Sequence, residues 1–147
     1  MRNIFKRLSC LILAVAFVFC FAACGGNDST GNNGSANDPK LEKFVESQGA
    51  TFEKSFEDSF KSSSGGLNCD CKLSVDGTKL IVDCLVEGID DVPAETKDEM
   101  QKAYEATKDQ LSEAFKPIKD EVSNLSEVTL NICESDGDVI ATINMPF

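Results

Sequence analysis

The chain contains no histidine among its 147 residues. That absence removes the commonest general base, the partner that a cysteine nucleophile needs, and the nitrogen ligand of most mixed zinc sites. A Gly-x-Ser-x-Gly elbow and a glycine-rich phosphate loop are missing as well. Positive charge is scarce, with 14 Lys and Arg against 25 Asp and Glu and a net charge of −11. Such a surface repels phosphate backbones and anionic headgroups, so no nucleic-acid partner is expected. No apolar run reaches the roughly 20 residues that a helix needs to cross a bilayer. These absences leave a carboxylate-dependent enzyme as the weakest functional reading, and no cofactor or metal is expected.

What is present begins with Leu8 to Cys24, LSCLILAVAFVFCFAAC, behind Arg2, Lys6 and Arg7. A basic start, a short apolar core and small residues before a cut form the pattern of a secretory signal peptide. Phe21-Ala22-Ala23-Cys24 resembles the lipobox of bacterial lipoproteins, with Phe21 where that pattern usually has Leu. The resemblance implies cleavage after Ala23 and diacylation of Cys24, whose two or three acyl chains anchor stably where one is marginal. Cys20 is the poorer candidate because Phe19 before it is bulky. Residues 1–23 are therefore expected to be removed, and with them three cations and no anion, so the net charge moves from −11 to −14.

Residues 25–38, GGNDSTGNNGSAND, carry almost no apolar side chain and are expected to form a flexible tether with a reach of roughly 20 Å. The remainder, 39–147, is long enough for one modest core. Pro39 after Asp38 marks a helix start. Leu41, Phe44, Val45, Gln48, Phe52, Phe56 and Phe60 then recur at helical spacing, which predicts a helix over 39–62 ended by Ser62-Ser63-Ser64-Gly65-Gly66. Phe52, Phe56 and Phe60 are candidates for lining an apolar ligand groove, although at this spacing they more simply face a core.

Alternation over 69–75 and 78–87 around Asp76-Gly77 predicts a β-hairpin. A two-residue Asp76-Gly77 turn sets Cys69 opposite Cys84. It also places Cys69, Cys71, Leu73 and Val75 on one face with Leu80, Val82, Cys84 and Val86, where a one-residue slip would separate the two apolar sets. A second helix is predicted over 94–124, from Met100, Tyr104, Leu111, Phe115, Ile118 and Val122, with a kink at Pro117. The near-heptad spacing of 104, 107, 111, 114 and 118 suits a partner helix, but internal packing already accounts for the stripe. A second hairpin around Asp136-Gly137 should pair Val128, Leu130 and Ile132 with Val139, Ala141, Ile143 and Met145 on one face. Glu134, Asp136 and Asp138 cluster at its turn but lack the other ligands of a calcium loop.

Four of the seven cysteines lie in the folded part: Cys69, Cys71, Cys84 and Cys133. Zinc is disfavoured by the Cys-x-Cys spacing. The register predicts a Cys69–Cys84 disulfide, with Cys71 unpaired and Cys133 on the other face of its strand; the alternative is four reduced thiols that behave as small hydrophobes.

The expected fold is α+β: helix, hairpin, helix, hairpin, with both helices on one face of a four-stranded, mainly antiparallel sheet of order 2-1-3-4 or 1-2-4-3. Its Asp-Gly turns fall 60 residues apart, a repeat of architecture and not of sequence. The helix with Phe44 and Val45, the first hairpin, the charged helix and the closing hairpin around Asp136-Gly137 resemble a domain of unknown function found in small clostridial-type lipoproteins. That resemblance implies no activity. The functional expectation is a lipid-anchored extracytoplasmic binding or interaction module, held at the membrane through Cys24, whose partner is an envelope protein or a small ligand. The alternative is a small lipoprotein that holds an apolar ligand.

Overall fold

Asp38 starts the first helix by accepting hydrogen bonds from the Lys40 and Leu41 amides, at 2.9 and 3.2 Å. Helix α1 (Pro39–Ser63) follows, with Pro at its first turn, where a missing N–H has no helical partner to lose. It stops where Ser64 bonds back to Phe60 and Gly65 and Gly66 turn the chain with φ of 74° and 99°. This computed structural model describes residues 37–147, so the expected signal peptide, Cys24 and nearly all of the tether lie outside the described residues.

Strands β1 (Cys69–Asp76) and β2 (Lys79–Val86) form the first hairpin, β3 (Glu127–Cys133) and β4 (Val139–Pro146) the second, with helices α2 (Ala94–Glu105) and α3 (Lys108–Glu121) between them. The fold is α+β, but the sheet is mixed. Its order is β1-β2-β3-β4, with β2 and β3 parallel and the outer pairs antiparallel. The antiparallel orders 2-1-3-4 and 1-2-4-3 are thus corrected. The crossover through α2 and α3 returns the chain to the start of β2, where the Ser126 amide donates to the Thr78 carbonyl at 2.9 Å. A parallel neighbour needs such a connection. Pairing β2 with β3 sets the buried inner faces of the two strands side by side in the middle of the sheet: Leu80, Val82, Cys84 and Val86 beside Val128, Leu130 and Ile132.

The single helix predicted over 94–124 is two helices, and the break falls at Ala106-Thr107, not at Pro117. Both the amide and the hydroxyl of Thr107 donate to the Tyr104 carbonyl, at 3.0 and 2.8 Å. They occupy the acceptor that Lys108 would use to continue the helix. Pro117 lies inside α3.

Both hairpins depart from their predicted turns. In the first, Asp76 pairs with Lys79, so the loop is Gly77-Thr78 and the register moves by two residues. Gly77 has φ of 61° and Asp76 does not have positive φ. A turn with Gly at its first central position needs positive φ only there, whereas Asp76-Gly77 would need it at both. In the second, Val128 faces Met145, Leu130 faces Ile143 and Ile132 faces Ala141, as the alternation predicts. Nearer the turn the loop is Ser135-Asp136-Gly137, and Cys133 faces Val139. The mismatch leaves one extra residue on β4, which turns Ile140 inward and leaves Val139 49% exposed instead of on the core face.

One core joins all three helices to the inner sheet face. Phe52 lies 6.3 Å from Phe56 and 5.7 Å from Phe115, ring centre to ring centre. Among the described residues, no helix is long and apolar enough to cross a membrane.

Candidate functional site

The helix-free face of the sheet carries β1 and β2 side chains such as Lys72, Ser74 and Asp83, continued by Thr129, Asn131, Thr142 and Asn144. Three strands are joined there by polar side chains. The Asn131 amide donates to Asp83 at 2.7 Å and accepts from the Thr142 hydroxyl at 2.8 Å. Thr129 donates to Asn144 at 3.0 Å, and Lys79 pairs with Glu127 at 2.9 Å. Cys133 is buried on this side of β3, as its alternation predicts, and burial pushes its thiol up.

Helix side chains bond outward backbone groups on both sheet edges. The outward amides of Cys71 and Leu73 on β1 donate to Glu57 and Glu53 of α1, at 3.1 and 2.9 Å. On β4, the Gln101 side chain of α2 donates to the Thr142 carbonyl at 2.7 Å and accepts from its amide at 2.8 Å, as a neighbouring strand would. Open edges invite pairing with another chain, and these three residues cap the middle of each edge. Sequence reading missed them. The available signal was Glu53 and Glu57 four apart, each just after a core phenylalanine.

Under α1, the thiols of Cys69, Cys71 and Cys84 meet in the core. The Cys71 and Cys84 sulfurs are 2.7 Å apart and the Cys69 and Cys71 sulfurs 3.6 Å. All are free cysteines, as is Cys133. The two-residue register shift keeps all three on the predicted face but puts Cys71, not Cys69, opposite Cys84. Burial drives the Cys84 thiol well above its ordinary value. Cys69, hydrogen-bonded by Cys71 and then Cys84, is lowered, and it is the most exposed of the three at 7%. Tyr104 is 4% exposed, with its hydroxyl lacking a hydrogen-bond partner.

Phe52, Phe56 and Phe60 are all closed off from solvent and face the core. At the second turn, Glu134 is buried; Lys97 pairs with it at 2.6 Å and the Val92 amide donates to it at 3.3 Å. The Lys97 bond holds the Glu134 carboxyl below its ordinary value. No group of three or more Cys, Asp or Glu with metal-holding geometry occurs among the described residues. Cys24 lies outside the described residues.

Residues 40–144 match the model of one family, whose description reads Domain of unknown function (DUF4854). No curated protein and no solved structure matches the chain.

Proposed function

For this chain, which belongs to the family of the Domain of unknown function (DUF4854), we propose a role as a lipid-anchored extracytoplasmic interaction module. The observation that carries this reading is the basic, apolar and small-residue series ending in Phe21-Ala22-Ala23-Cys24, followed by a Gly/Asn/Ser tract and then an acidic domain.

The domain's own geometry supports it. Asn37 and Asp38, where the tether would end, are bound to the β1–β2 turn: the Asp38 amide donates to the Gly77 carbonyl at 2.7 Å, and the Gly77 amide to the Asn37 side chain at 3.0 Å. Asn124 adds a 2.8 Å bond to the Asp38 carboxylate. The tether therefore joins a fixed point at one end of the sheet. The β3–β4 turn and the 87–93 loop lie at the other end, roughly 25 Å away along eight-residue strands. That end carries Asp90, Asp91, Asp136 and Asp138 and stands away from the tethered end. The apolar-ligand alternative draws no support from Phe52, Phe56 and Phe60, since those rings already fill the core.

Metabolic labelling with an alkyne fatty acid in a bacterial host tests the anchor. The full chain should be labelled and sediment with membranes, and Cys24→Ser should be neither. Equal labelling of Cys24→Ser overturns the reading.

A further inference from the structure

We propose that Cys71 and Cys84 form a redox-sensitive pair that closes into a cross-strand disulfide, with Cys69 left beside it as a free thiol. The inference concerns the folded domain alone and is independent of the anchor.

Geometry selects this pair from the four described thiols. Cys71 and Cys84 are direct partners in the β1–β2 register. The Cys71 amide points away from β2, to Glu57, so the two residues form a non-hydrogen-bonded pair, whose Cα atoms stand about 4.5 Å apart. That separation lies within the roughly 4.4 to 6.8 Å that a disulfide spans. Their sulfurs already lie 2.7 Å apart, against a bond of about 2.04 Å. Cys69 is diagonal to Cys84, a relation that places the residues roughly 7 to 8 Å apart and beyond a disulfide's reach. Cys69 and Cys71 stand two residues apart on one strand, so although their sulfurs come within 3.6 Å their parallel Cα–Cβ bonds start about 6.6 Å apart, where a disulfide needs Cβ atoms within about 4.5 Å. Cys133 lies next to Leu85 on the opposite face.

The reaction is a thiol–disulfide exchange with an external disulfide, either a small molecule or a thiol–disulfide oxidoreductase. Of the two, Cys71 on the edge strand is 2% exposed and Cys84 is fully buried. The neighbouring Cys69 sulfur holds the Cys71 thiol well above its ordinary value, so exchange begins at Cys71 only when the β1 edge opens and that thiol gives its proton to water. Its thiolate attacks the external disulfide, which releases one external thiol and leaves a mixed disulfide on Cys71. The Cys84 sulfur then attacks the Cys71 sulfur and displaces the second external thiol. Two protons leave the protein thiols for the two external ones, and the two electrons go to the external disulfide. The product ties the edge strand β1 covalently to the central strand β2, adding to the ladder bonds, the Glu53 and Glu57 bonds and the core packing of its inner face.

The test is peptide mapping of the full chain after incubation with oxidised glutathione, alkylation and non-reducing digestion with an endoproteinase that cuts before aspartate. Cleavage before Asp70 separates Cys69 from Cys71, because residues 69–71 read Cys-Asp-Cys. The expected product links peptide 70–75 to peptide 83–89, with Cys69 and Cys133 alkylated. Oxidation should raise the denaturation midpoint in the wild type and in Cys69→Ser, and leave Cys84→Ser unchanged. A link from 58–69 to either other peptide, or no linked pair, overturns the proposal even if the serine variants do not fold.

Discussion

Glu53→Ala/Glu57→Ala should weaken the domain and open its β1 edge. Each carboxylate accepts one outward strand amide, at 2.9 Å from Leu73 and 3.1 Å from Cys71. A hydrogen bond to a charged acceptor contributes about 1.5 to 3 kcal/mol. Both bonds are only part-buried, and the freed amides can turn to water, so the lower end applies and the pair is worth about 3 kcal/mol. Removing two carboxylates four residues apart also relieves a like-charge repulsion of roughly 0.3 kcal/mol. The net loss is then about 2.5 kcal/mol, or about 10 °C in Tm for a domain of this size. Glu53→Gln/Glu57→Gln keeps both acceptors without charge and should lose about half as much. Denaturant unfolding followed by circular dichroism measures the loss, and sedimentation velocity reads the edge, because an uncovered strand templates pairing with a second chain. A double alanine variant within about 0.5 kcal/mol of wild type that sediments as the wild type does would refute the edge-sealing argument.

Tyr104→Phe removes a buried hydroxyl that has no partner, a group whose unmet hydrogen bond costs about 1 to 3 kcal/mol. Urea unfolding should show this variant to be more stable than wild type by about 1 kcal/mol, and a loss of that size would mean the hydroxyl is satisfied. Lys97 holds the Glu134 carboxyl below its ordinary 4.5, so this pair stabilises the fold fully above that value and its contribution is lost as pH falls through the lower folded-state value. Acid titration of stability should therefore be shallower in Lys97→Met than in wild type, and parallel curves would count against the pair.

The elements that could be read from sequence are those whose signal is local. The start of α1 follows from Asp38-Pro39 and its inner face from Phe52, Phe56 and Phe60 at helical spacing; both strand pairs follow from alternation. What escaped depends on partners that a single segment does not display. A single crossover already implies that Glu127–Cys133 runs in the same direction as Lys79–Val86; what alternation does not mark is that the two lie side by side. Pro117 was the conspicuous helix breaker, yet the break falls at Thr107, whose amide and side chain both bond the Tyr104 carbonyl. Ser47, Ser55 and Ser62 back-bond in the same way inside α1 without breaking it, so what marks the break is that the Thr107 amide itself also bonds three residues back, to Tyr104. The acceptors at the edges, Glu53, Glu57 and Gln101, looked like ordinary solvated positions because their partners are backbone groups on distant strands.

The thiols show how far a period of two can carry an argument. Alternation assigns a residue to a face, and any even shift of register preserves that assignment. Cys69, Cys71 and Cys84 therefore fell on the inner face, and Cys133 on the outer one, whether the turn was Asp76-Gly77 or Gly77-Thr78. Pairing is not protected in this way, since a shift of two replaces every opposite number, and Cys71 takes the place expected of Cys69. The deciding quantity is the sign of φ at one residue. A turn centred on Asp76-Gly77 asks a non-glycine residue to enter the left-handed region, whereas moving the turn by one residue along the chain asks it only of Gly77. That local preference reaches up the whole ladder and decides which two sulfurs can bond.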